Sequence, residues 1–163
     1  MGGTGQGHGN ITPVGEYNFW ADPEAAKVVF ESGLPLKMVG WDVSRTVAVF
    51  DSQDTAALRA LDTPLARFCV DIQKALAQFA LSTTHLPGFD LPDAIAMAIA
   101  LDSAVVTRTH SCFVDIEAAS PLCRGKSVVD HLHVTGNEPN TEVVLDASRE
   151  QFLRMLYDAV SPG

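Results

Sequence analysis

Residues 10–18 read Asn10-Ile11-Thr12-Pro13-Val14-Gly15-Glu16-Tyr17-Asn18, and Asp22-Pro23-Glu24 follows close behind. Three side chains suited to gripping hydroxyl groups, Asn10, Glu16 and Asn18, fall within nine residues. Amides and carboxylates together offer the donors and acceptors that vicinal hydroxyls need. In an extended segment Glu16 and Asn18, two apart, would point the same way. Plain turn chemistry is the competing reading, since Asn and Gly also fill loops. Upstream, residues 1–10 carry five glycines, which reads as a floppy terminus or as a binding loop.

Working outward, Asp22 suits a helix N-cap, Pro23 the first helical position, and Glu24 the helix dipole. That helix runs to about Ser32, with Gly33 as its stop. Leu36 to Val43 reads as a buried strand, and Asp54 to Leu61 as a short helix. Leu65, Phe68, Cys69, Ile72, Ala75, Leu76, Phe79 and Ala80 recur at helical spacing, so one amphipathic helix is expected from Pro64 to about Leu81. A polar loop follows over residues 82–90. Pro92 to Leu101 is apolar all round, the pattern of a helix buried on every side. Residues 104–117, 127–134 and 142–146 read as strands. Ser148 opens the last helix, with Gln151 completing a capping box and Phe152, Leu153, Leu156 and Val160 forming its stripe. With no repeat and no linker, residues 1–163 read as a single α/β domain.

The composition narrows the partners. Net charge is -9 from 11 basic and 20 acidic residues, so phosphate backbones and anionic membranes are repelled. Hydrophobic residues make up 47% of the chain, enough for a core. No apolar run approaches the ~18 residues needed to span a bilayer, and no signal peptide is expected. The cysteines, Cys69, Cys112 and Cys123, are odd in number and lack C-x-x-C spacing, which argues for a reducing, cytoplasmic setting.

Asp93 is the one charge in the first turns of the Pro92 helix. It is either a dipole-compensating carboxylate or an oxygen ligand for a hard cation such as calcium. His131 and His133 would share a strand face as a structural pair, or a metal pair lacking a third ligand. His8 and His110 fall in no motif that the sequence can assign. Gly5-Gln6-Gly7 fails as a dinucleotide fingerprint, because Asn10 stands where the third glycine belongs, and there is no P-loop.

The runs Met1-Gly2-Gly3, Gly9-Asn10-Ile11-Thr12-Pro13, Glu16-Tyr17-Asn18 and Asp22-Pro23-Glu24-Ala25-Ala26 resemble the inosine/uridine-preferring nucleoside hydrolase family. Leu91-Pro92-Asp93-Ala94-Ile95-Ala96 looks like that family's later metal-ligand motif, and residues 123–130 resemble a further family segment. The resemblance implies hydrolysis of the N-glycosidic bond of a ribonucleoside. It also implies an α/β fold with a partial, mostly parallel sheet flanked by helices. Met1, Asn10, Glu16 and Asn18 would contact the ribose, and Asp93 would be one calcium ligand. Glycoside cleavage passes through an oxocarbenium-like state that a grip on the sugar hydroxyls can stabilise.

Two departures qualify that expectation. The family's Asp-x-Asp-Pro-Gly-x-Asp-Asp segment, which supplies the water-activating base and most calcium ligands, has no counterpart here; residues 51–54 lack the Pro-Gly turn. The chain then corresponds to the C-terminal half, inactive alone, and would need a missing N-terminal half or a homo-oligomer. The alternatives are a non-catalytic ribose- or nucleoside-binding module and an inactive remnant. The second departure is Pro92, where many relatives carry a histidine near the leaving base; His85 is the nearby substitute.

Overall fold

The computed structural model describes residues 1–161. Its elements are α1 (Tyr17–Ala21), α2 (Pro23–Glu31), β1 (Leu36–Val39), α3 (Trp41–Val47), β2 (Val49–Phe50), α4 (Ser52–Ala60), α5 (Pro64–Asp71), α6 (Lys74–Phe79), β3 (Phe89–Asp90), α7 (Pro92–Leu101), β4 (Val106–Ile116), β5 (Ser127–Asp130), β6 (Thr141–Ala147) and α8 (Arg149–Val160). They divide into two compact units. The first comprises Met1–Val43 and Val106–Ala147, the second Ser44–Val105 and Ser148–Gly163.

The first unit is built on a four-stranded sheet ordered β1-β6-β4-β5. The α/β class and the helix-backed sheet match expectation. The pairing is mixed, however, where a mostly parallel sheet was expected: β1–β6 is parallel, and β6–β4 and β4–β5 are antiparallel. The short connection between β4 and β5 explains part of this, since a parallel pair needs a crossover of a dozen or more residues, usually with a helix. Phe30, Met38, Cys112, Val114, Ile116 and Val143 form the core, with Phe19 and Leu36 packed against it. Full burial of such side chains is worth about 1.5–3 kcal/mol each. The predicted caps of α2 hold: the Asp22 carboxylate accepts from the Ala25 N–H at 2.9 Å, with Pro23 at the first position. Strand β1 stops at Val39, four residues short of expectation, because Gly40 turns the chain into α3.

The second unit carries the β2–β3 ribbon and helices α4 to α8. Phe50 stacks on Phe89 and meets Phe152 edge-on. Arg149 ties these pieces together. Its guanidinium donates to the Val47 and Val49 carbonyls, each at 2.8 Å, and to the Asp54 carboxylate at 2.6 Å. Gly88 passes so close to the Phe50 carbonyl that no Cβ would fit there.

Three expectations fail in this unit. The single helix over residues 64–81 is interrupted between α5 and α6 and ends in a π-helical turn, Ala80–Thr84. Its apolar stripe is not buried: Phe68 is 59% exposed, and Leu65, Ile72, Leu76, Phe79 and Leu81 are also exposed, while small Ala66 and Val70 face inward. Helix α7 is buried along Ile95, Ala98 and Ile99 only, and Met97 and Leu101 face solvent. In α8 the Ser148 hydroxyl accepts from the Gln151 N–H, but the Gln151 side-chain oxygen is buried with no partner, so the box is half formed.

Candidate functional site

The glycine-rich start is neither loose nor extended into solvent. Gly2 to Gly5 are buried. The Gly2 N–H donates to the Val39 carbonyl and the Trp41 N–H to the Gly3 carbonyl. Side chains satisfy the rest of this backbone. Glu16 accepts from the Gly3 N–H at 2.9 Å; the Ser127 hydroxyl accepts from the Thr4 N–H at 2.9 Å and donates to the Thr4 carbonyl at 2.7 Å. The two oxygens of Asp42 accept the N–H groups of Gly5 and Gln6, at 3.0 and 2.8 Å. Buried backbone groups must find partners, and here three side chains, Glu16, Asp42 and Ser127, supply them. Lys126 reaches Thr4 Oγ1 at 3.4 Å, and burial lowers its pKa against the opposing pull of Asp42 and Cys123.

Residues 9–15 close into a tight loop. The Gly15 carbonyl accepts from the Asn10, Ile11 and Thr12 N–H groups, and Thr12 Oγ1 accepts from the Gly15 N–H at 2.7 Å. A side chain on Gly9 would collide with the Gly15 and Thr12 backbone. This loop delivers Asn10 to the start of α1, where its Oδ1 accepts from the Tyr17 N–H at 2.8 Å. Glu16 is the N-cap of α1 and is only 3% exposed. Both its oxygens accept from the Asn18 N–H at 3.1 Å. Asn18 is exposed, and its amide reaches Met1 Sδ at 3.1 Å and the Met1 carbonyl at 3.5 Å.

Met1, Asn10, Glu16 and Asn18 therefore gather around one helix start. The reason differs from the one anticipated. Glu16 and Asn18 are not alternate residues of an extended strand; capping geometry brings them together. Glu16 spends its carboxylate on backbone N–H groups and so positions the others. The amides of Asn10 and Asn18 are the more accessible members of the group.

The remaining candidates stand in the second unit. Asp93 lies exposed in the first turn of α7, behind Pro92 at the first helical position. A cavity of about 360 Å³ opens there, lined by Asp90, Asp93, Pro92, Phe89, Leu76 and Leu156 among others. Asp90 is buried and accepts from the Ser44 hydroxyl at 2.7 Å. His85 is exposed and left-handed, with φ 55°, where it terminates the π-helical turn. Among the described residues Asp93 belongs to no group of three or more potential metal ligands. One carboxylate does not fit calcium, which takes 6–8 oxygens.

Sequence reasoning assigned no role to Asp42, Ser127 and Lys126, which hold the glycine loop; Lys126 and Ser127 lie within the recognised 123–130 segment, and Asp42 lies outside any motif. It also misplaced the histidines. Strand β5 ends at Asp130, so His131 and His133 share no strand face, and His133 sits in a turn with φ 56°. Asp130 shapes that turn by accepting from the Val134 and Thr135 N–H groups and the Thr135 hydroxyl. The Thr135 bonds lead in holding its carboxyl down at about 2.

The sheet, its flanking helices and the loop before α1 define a nucleoside hydrolase fold, as solved structures attest. A plant nucleoside hydrolase superimposes with TM-score 0.87 at 22% identity, covering 99% of this chain and 52% of that one. The purine-preferring ribonucleoside hydrolase from Gardnerella vaginalis gives TM-score 0.80 at 29% identity, over 94% of this chain and 48% of the other. Residues 1–154 match the inosine-uridine preferring nucleoside hydrolase family, and the chain belongs to it. The pyrimidine-specific ribonucleoside hydrolase RihA of Shigella flexneri is 33% identical over 159 residues, 97% of this chain and 50% of the relative; its Escherichia coli counterpart matches to the same extent. The chain thus spans about half the length of the curated relatives it matches.

Proposed function

We propose that this chain supplies the ribose-holding part of a ribonucleoside N-ribosyl hydrolase, with residues 1–163 acting as one domain of that fold. The observation that carries the reading is the gathering of Met1, Asn10, Glu16 and Asn18 at a helix start braced by a buried carboxylate. Asn10 and Asn18 would meet the ribose hydroxyls, and Glu16 and the glycine loop would hold them in place. Preorganised donors and acceptors of this kind favour the transition state when they tighten on the developing oxocarbenium sugar. Asp93 would serve as one oxygen ligand of the calcium ion that the family resemblance implies. The chain's own described residues do not complete that ion's shell, so no catalytic step is assigned to it. The unpaired cysteines support a reducing, cytoplasmic setting.

The same incompleteness favours a second reading, a nucleoside-binding module without chemistry. Saturation-transfer NMR with inosine, uridine and ribose, run beside a reducing-sugar assay, separates the two. Ribose-proton saturation that disappears in Asn18→Ala supports the grip. Release of ribose by the chain alone would make it an enzyme in its own right. No saturation with any of the three ligands would overturn the ribose-holding role.

A further inference from the structure

The first unit contains a second cluster of chemistry-bearing side chains that neither the ribose grip nor the family resemblance uses. His110 and Cys112 are two apart on β4 and so share a face of the sheet. Strand pairing ends at Phe113–Asp130, and the turn that follows brings His131 beside Cys112. Cys112 is fully buried, and its sulfur lies 3.8 Å from His131 Nδ1. The rings of His110 and His131 stack at 5.9 Å, and one ligand atom from each of the three residues falls within 4.8 Å of the others. Among the described residues this is the one group of three His, Cys, Asp or Glu so arranged.

We propose that His110, Cys112 and His131 form a site for a zinc-class divalent cation, bound by one thiolate and two imidazoles. The hydrogen bonding around His131 favours this over a simple thiol contact. Its Nε2 lies 2.8 Å from the Gly5 carbonyl, which can only accept, so Nε2 carries the proton. The bare lone pair on Nδ1 is thereby aimed at Cys112. A backbone carbonyl that fixes the tautomer of a ligating histidine is the usual support of such sites. Thiolate and imidazole are borderline-soft donors that select zinc over calcium, so the site is chemically distinct from any oxygen shell around Asp93. Tetrahedral zinc sets its ligand atoms about 3.5 Å apart. The Cys112–His131 pair is already close to that spacing, and side-chain rotation closes the rest. The fourth position goes to water, with the His133 ring edge-on to His110 at 5.7 Å beside it. Binding releases the Cys112 thiol proton to solvent, and an occupied site braces Gly5 through His131.

Cobalt(II) titration of the purified 163-residue chain tests the proposal independently of nucleoside binding. One equivalent should produce a thiolate-to-cobalt charge-transfer band, displaced by zinc and indifferent to excess calcium. The band should vanish in Cys112→Ser and persist in the Cys69→Ser/Cys123→Ser double variant. His131→Ala should weaken cobalt affinity at least about tenfold. Circular dichroism confirms that each variant is folded; should Cys112→Ser not fold, loss of the band in His110→Ala decides instead. Absence of a band in the unmodified chain, or its survival in folded Cys112→Ser, would overturn the site.

Discussion

The glycine loop of the first unit and the α5–α6 stripe of the second reverse their sequence signatures. Residues 1–10 have almost nothing to pack, yet Gly2 to Gly5 are buried and their backbone groups are partnered. The stripe from Leu65 to Leu81 has the periodicity of a core helix, yet its large side chains lie open and Ala66 and Val70 turn inward. Burial of the loop is decided by polar partners delivered from afar: Glu16, Asp42 and Ser127 offer acceptors where backbone N–H groups need them. Burial of the stripe would need an apolar surface that residues 65–81 cannot specify alone.

That contrast predicts where the molecule is vulnerable. The largest effect should come from Glu16→Ala, which strips the acceptor from the Gly3 and Asn18 N–H groups. Hydrogen bonds to a charged partner are worth about 1.5–3 kcal/mol each, so urea unfolding should show a loss of about 3–4 kcal/mol. A loss below about 1 kcal/mol would mean the loop is held some other way. The next effect is pH-dependent. The folded pKa of Asp130, about 2, lies below its ordinary value of 3.8. A depressed carboxylate stabilises the fold fully above its unfolded pKa, and that contribution fades as pH falls through the folded value. Stability of the unmodified chain should therefore decline between about pH 4 and pH 2 more than that of Asp130→Asn, as thermal melts across that range would reveal. The smallest effect belongs to Phe68→Gln. An exposed position should shift stability by no more than about 0.5 kcal/mol in urea unfolding. A loss above about 2 kcal/mol would mean that Phe68 is buried after all.

Local signals carried what was legible. Asp22, Pro23 and Ser148 mark helix starts whose cap hydrogen bonds depend on neighbouring residues, and both were placed correctly. The cluster of Asn10, Glu16 and Asn18 was legible as a group because it spans nine residues. The role of Glu16 as the clamp was not, since Gly3 is brought to it only by folding. The division of α5 from α6 carries neither glycine nor proline to announce it. The meeting of His110, Cys112 and His131 depends on the β4–β5 register, which no single segment encodes. Pairing order was likewise hidden: alternation marks a strand but does not name its neighbour.

The parallel β1–β6 junction has a consequence for how the chain must be made. Leu36 pairs with Thr141, so the sheet cannot close until more than a hundred later residues have emerged. On a ribosome residues 1–43 wait, their glycine loop still without Ser127 and Lys126, while the whole insert 44–105 is synthesised. Contacts of such long sequence separation slow folding, because loop closure costs entropy before pairing repays it. A stop codon anywhere before residue 141 would leave β1 without β6, its parallel partner in the sheet.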